Sequence, residues 1–184
     1  MKSLFLAVAA LSAQLTLVAA RAVAVPANAT FYNLQTKSAT TTLNNLYLSS
    51  SNGTVGLFSN AKSSALNAAR VFTTPYTPTG TLSLHIADDT HQIALLGTSP
   101  SLLSLVDVVS PTTDAIPKGQ LMEWSTFTID STGNLGVKDG SALTTRHWVA
   151  WENTDGSYGI GLYDGVTTES RALANITITA VKAT

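Results

Sequence analysis

Acid–base and metal chemistry need titratable side chains that a fold can bring together, and this chain holds few. It has three histidines, eleven acids and no cysteine among 184 residues. His85 and His91 flank Asp88-Asp89 in HIADDTH. Imidazole and carboxylate are ligands for zinc and other transition metals. The same run is also ordinary turn chemistry between two alternating segments, and no spaced histidine set accompanies it, so no metal or other cofactor is expected. A serine hydrolase needs a nucleophile, a base and an orienting acid. Gly97-Thr98-Ser99-Pro100-Ser101 approaches the nucleophile-elbow pattern, but it ends in Ser where Gly is required and lacks the strand–turn–helix setting. Glycoside hydrolysis needs two carboxylates across one bond. Glu123, Glu152 and Glu169 share no motif with one another or with the aspartates. The chain therefore reads as non-catalytic, with a secreted polysaccharide hydrolase as the alternative.

The richest stretch is 147–165, HWVAWENTDGSYGIGLYDG, with two tryptophans, two tyrosines, four glycines and three acids. Asp155-Gly156 suits a two-residue type I′ turn. That register, shared by a four-residue loop over Thr154–Ser157, sets Asn153 opposite Tyr158, Trp151 opposite Ile160, Val149 opposite Leu162 and Trp148 opposite Tyr163. Side chains alternate across a strand. Val149, Trp151, Ile160 and Leu162 then form a core face. Trp148 and Tyr163 stand on the other, above Ala150, Gly159 and Gly161, with Glu152 and Asp164 as nearby acceptors. An aromatic ring beside carboxylates, over a small-residue floor, suits a sugar: apolar ring face on the aromatic, hydroxyls to the acids. Trp148, Tyr163, Glu152 and Asp164 are thus the expected ligand-binding residues, with a glycan or cell-wall polymer as partner.

The elements that must position them are strands. Period-two alternation and turn residues dominate after residue 30. They predict about twelve strands, among them 31–37, 102–109, 123–130, 147–152, 158–164 and 174–181; only 61–70 permits a helical turn or two. VFTTPYTPTGTLSLHI (71–86) echoes TFTIDSTGNLGVK (126–138), with ANITITAV (174–181) as a third copy. Three copies of four short strands would make a β-trefoil. A sandwich or jelly roll is the alternative all-β architecture.

Hydrophobic residues are 45% and charged residues only 11%, against a usual charged share of ~25%. A net charge of −1 provides no basic field for nucleic acid. Lys2, the apolar run Leu4–Ala20 and small residues up to Ala24 form a secretory signal peptide. It is expected to be cleaved between residues 20 and 24, leaving 25–184 as one all-β domain that is secreted and free of membrane. Asn28-Ala29-Thr30, Asn52-Gly53-Thr54 and Asn175-Ile176-Thr177 are N-glycosylation acceptors in a secreted chain. Without disulfides such a domain must hold itself together by burial.

FYNLQTK followed by NNLYLSSSNGTVGLF, with HWVAWE near the end, resembles small secreted fungal proteins of the cell-wall-associated and IgE-binding kinds. The resemblance implies an extracellular or cell-wall location and carries over no catalytic residue; beside the glycan reading, a structural or interaction protein with a protein partner is the other alternative. The chain departs from several of those proteins in lacking cysteine. Ricin-type trefoil lectins carry Gln-x-Trp; Gln120-Leu-Met-Glu-Trp124 has a different spacing.

Overall fold

Alternation becomes strand where one face can be buried. In Leu102–Val109, Leu103 and Leu105 are buried while Ser104 and Val106 are only partly covered. The computed structural model describes residues 25–86, 88, 90–98 and 101–183. Residues 1–24, which the sequence marks as an expected signal peptide with its cleavage site, lie outside the described residues. Fourteen strands follow in chain order: β1 (Phe31–Lys37), β2 (Ser49–Ser51), β3 (Thr54–Leu57), β4 (Arg70–Tyr76), β5 (Thr81–Ile86), β6 (His91–Gly97), β7 (Leu102–Val109), β8 (Leu121–Trp124), β9 (Phe127–Ile129), β10 (Leu135–Val137), β11 (His147–Glu152), β12 (Tyr158–Tyr163), β13 (Ala174–Asn175) and β14 (Thr177–Lys182). Residues 61–69 form turns and bends before Arg70 opens β4, and no described residue is α-helical. No helix among the described residues is long and apolar enough to cross a membrane.

All the pairings are antiparallel and join into one nearly closed, barrel-like sheet. Six strands form a ring. β1 pairs β4, β4 pairs β5, β5 pairs β9 and β9 pairs β10. The ring returns through the Asn134–Thr179 bridge from the edge of β10 to β14, and β14 pairs β1 from Tyr32–Lys182 to Lys37–Thr177. Each ring strand sends at least one apolar residue deep into the core: Leu34, Val71, Leu84, Phe127, Leu135 and Ile178, none more than 3% exposed. Three hairpins, β2–β3, β6–β7 and β11–β12, stand beside the ring. Their second strands pair with one another: β3 with β7, β3 with β12, and β7 with β12. The backbones come so close there that a Cβ on Gly56 would lie 2.5 Å from the Tyr158 carbonyl oxygen, and one on Gly161 2.5 Å from that of Leu103.

Two expected strands are each divided. Run 123–130 breaks at Ser125, whose φ of 70° ends β8 and lets β9 start toward a different partner. Run 174–181 breaks at Ile176: β13 pairs β11 and β14 pairs β1. The sequence echo falls on the ring strands β4, β9 and β14, but Phe72 and Phe127 are not equivalent. Phe127 belongs to the core cluster. Phe72 lies on the opposite face of β4 from Val71, stacked on the buried His85 at 4.9 Å and met edge-on by Phe31 at 5.6 Å.

Candidate functional site

The β11–β12 turn fixes which aromatics face where. The Asn153 amide donates to the Ser157 carbonyl (2.8 Å) and the Gly156 amide to the Asn153 carbonyl (3.0 Å). Only Gly156, at φ 76°, has positive φ, whereas a type I′ turn needs two such residues. The Asp155 carboxylate accepts from the Ser157 hydroxyl (2.6 Å) and amide (2.9 Å), and these two bonds hold it below the usual carboxylate range. The loop therefore has three residues, a tight turn followed by a left-handed glycine, and not two or four.

One residue of slip moves every side chain to the other face. The observed pairs are Glu152–Tyr158, Trp151–Gly159, Ala150–Ile160, Val149–Gly161, Trp148–Leu162 and His147–Tyr163. This corrects the expected register and exchanges the faces of the two tryptophans, although both are buried, Trp151 at 8% exposed. Trp148 joins Ala150, Ile160 and Leu162 in the core, and its Nε1–H donates to the Leu135 carbonyl at 2.8 Å. Trp151 stands over the glycines. A Cβ on Gly159 would lie 2.3 Å from its indole Cε2, so the ring rests on bare backbone. The Arg171 guanidinium carbon lies 5.1 Å from the Trp151 ring centroid.

The four expected ligand-binding residues do not converge. Trp148 is in the core. Glu152 is exposed at the far end of β11, four residues or roughly 13 Å along the strand. Tyr163 lies on the opposite face, donates its hydroxyl to the Thr167 carbonyl and meets the His147 ring edge-on at 5.5 Å. Asp164 is fully buried and ties down its own loop, accepting from the Val166 and Thr167 amides at 2.9 Å each and from the Thr167 hydroxyl. Burial alone would raise the Asp164 carboxyl. The Thr167 hydroxyl, the two amides and the Arg146 charge outweigh it and hold the group below its usual range.

The glycine floor does border a concavity. Beside Trp151 and Gly159 is a depression of about 510 Å³ where the three hairpins meet. Its polar lining is Thr54 from β3, Thr98 and Ser104 from the β6–β7 hairpin, Asn153 from the β11–β12 turn, and Gln120. None of the lining residues is charged. Asn153 Nδ2 donates to the Ser157 hydroxyl at 3.0 Å, and Gln120 is exposed. Hydroxyls and amides both donate and accept, so the depression can match a polyhydroxylated ligand without burying charge. Local sequence reading missed Thr54, Thr98, Ser104 and Gln120, because they come from segments joined only by the contact among hairpins.

A second cleft of about 500 Å³ is charged. Lys138, Asp139, Arg146 and His147 line it, and Arg146 and Asp139 form a largely buried ion pair. Nearby, burial raises the half-buried Glu123 carboxyl above its usual range, with Arg146 opposing the shift. The HIADDTH histidines are separated: His85 bonds Thr74 Oγ1 at 2.9 Å, whereas His91 Nδ1 is 2.8 Å from Asp107. Asp89 and the Ser99-Pro100 pair of the elbow-like run lie outside the described residues. No group of three or more His, Asp or Glu side chains able to hold a metal occurs among the described residues. Asn28, Asn52 and Asn175 are all exposed. No family model, curated protein or solved structure matches the chain.

Proposed function

We propose that the chain is a secreted, non-catalytic β-trefoil that binds saccharide in the depression beside Trp151. A trefoil has six barrel strands and three hairpins. The ring of β1, β4, β5, β9, β10 and β14, and the mutual pairing of the three hairpins, support that reading. The apolar leader before residue 25 and the resemblance to small secreted fungal wall proteins support an extracellular place. The observation that carries the function is the depression itself: it is lined by the largely buried Trp151 indole on its glycine floor, by neutral hydroxyls and amides from three hairpins, and by Gln120. A sugar needs an apolar wall and a dense set of neutral hydrogen-bonding groups.

The test is titration of the purified protein, freed of any N-glycan, with laminarin, chitin oligosaccharides and mannan. Trp151→Ala removes binding. Gln120→Ala weakens it about tenfold, the equivalent of one neutral hydrogen bond of ~1.4 kcal/mol. Thermal unfolding of both variants checks that they remain folded. Absence of binding by the parent protein refutes the function, and full binding by folded Trp151→Ala refutes the site. Mass spectrometry of protein recovered from medium tests export: an intact Met1–Ala20 segment would contradict cleavage.

A further inference from the structure

We propose that Asn52 carries an N-linked glycan on the rim of the Trp151 depression and that this glycan competes with external saccharide for it. The competition rests on the reading of the depression given above. Asn52-Gly53-Thr54 is an acceptor sequence, and it forms the turn between β2 and β3. Asn52 and Gly53, at φ 50° and 75°, make a two-residue type I′ turn, which projects the exposed Asn52 at the hairpin tip. Thr54 has two roles. It supplies the hydroxyl of the acceptor sequence, and it lines the depression opposite Val106. Asn52 is two residues from that wall, and because the turn folds back the two are closer than the roughly 7 Å that two extended residues span. Neither of the other acceptors includes a lining residue: Asn28 precedes β1, and Asn175 sits in β13 opposite Val149.

Attachment joins Asn52 Nδ2 to C1 of an oligosaccharide carried on a lipid diphosphate. The C1–O bond to phosphate breaks, the lipid diphosphate leaves, and the amide loses one proton. The attached sugars then stand beside the depression at a tethered concentration in the millimolar range. A tethered sugar that binds with millimolar affinity weakens the apparent affinity for a free one by about 2- to 10-fold.

The experiment uses full-length protein secreted by a host that N-glycosylates. Three forms are compared: the parent protein, Asn52→Asp, and the parent treated with an amidase that removes N-glycans and leaves Asp. Asp tolerates the left-handed backbone that Asn52 adopts, so the hairpin persists. Peptide mass spectrometry reads occupancy at Asn52. Titration with laminarin, chitin oligosaccharides and mannan reads affinity. The expected result is an occupied Asn52 and a parent that binds about 2- to 10-fold more weakly than the other two forms. Agreement between Asn52→Asp and amidase treatment assigns the effect to Asn52 and not to Asn28 or Asn175. An unmodified Asn52 overturns the modification site. Equal affinity in all three forms overturns the competition alone and leaves the depression standing. No binding by any form overturns the saccharide reading, and the competition with it.

Discussion

Gly159→Ala should separate the two hairpin registers by a double-mutant cycle. The three atoms nearest an added Cβ at position 159 all belong to the Trp151 indole, at 2.3, 2.4 and 2.5 Å. The φ of Gly159 is not positive, so alanine fits the backbone and meets the ring first. The indole must move by about 1 Å or leave, an overpacking cost of about 1–3 kcal/mol. For a domain of this size that lowers the melting temperature by about 2–4 °C per kcal/mol. In a Trp151→Ala background the obstruction is gone, and replacing a strand glycine by alanine contributes about 0.5–1 kcal/mol of stability. The coupling between positions 151 and 159 is then about 1.5–4 kcal/mol, from the sum of those two ranges. Trp148→Ala should show no such coupling, because Trp148 lies on the other face. Denaturant unfolding of the parent, the three single variants and the two double variants measures all of this. Coupling of Gly159→Ala to Trp148, or an unchanged cost in Trp151→Ala, would refute the observed register and the depression built on it.

Trp148→Ala should destabilise by about 3–5 kcal/mol, because it removes a core indole and leaves a cavity; equilibrium unfolding checks this. Glu123 has a raised carboxyl, so its native state holds a proton that the unfolded chain releases, and stability falls as pH rises above about 4.3. Glu123→Gln should therefore unfold at a higher temperature than the parent at pH 7 and lose that advantage near pH 4. Asp164 has the opposite sign: its lowered carboxyl contributes stability above about pH 3.9 that is lost as pH falls through the native value. Asp164→Asn should be destabilised at pH 7, with the gap narrowing on acidification below that point in a thermal-melt series.

The strand pattern was legible where alternation ran unbroken: β1, β7 and β11 occupy the residues that periodicity assigns. Ser125 and Ile176 were not legible as breaks. Each interrupts a run whose two halves pair with different strands, and no local pattern records a distant partner. The hairpin register failed for a specific reason. Asp-Gly serves a two-residue turn and a three-residue loop equally well. The choice was made by the Asp155 carboxylate bonding forward to Ser157. In Asn52-Gly53, by contrast, both residues take positive φ and the two-residue turn forms. An aromatic does stand over the glycines, but the one-residue slip makes it Trp151 and not Trp148, and it is buried.

The run 174–182 is a seam. β13 closes on β11, β14 closes on β1, and Thr179 reaches Asn134 beside β10. The Tyr32–Lys182 pair spans nearly the whole described chain, so the ring cannot shut until the last of these residues has been synthesised. Non-local pairing of this kind makes folding slow. Until the seam forms, β1 and β11 each present an unpaired edge open to other chains. During synthesis the polypeptide therefore carries open strand edges that require shielding until its final strand arrives.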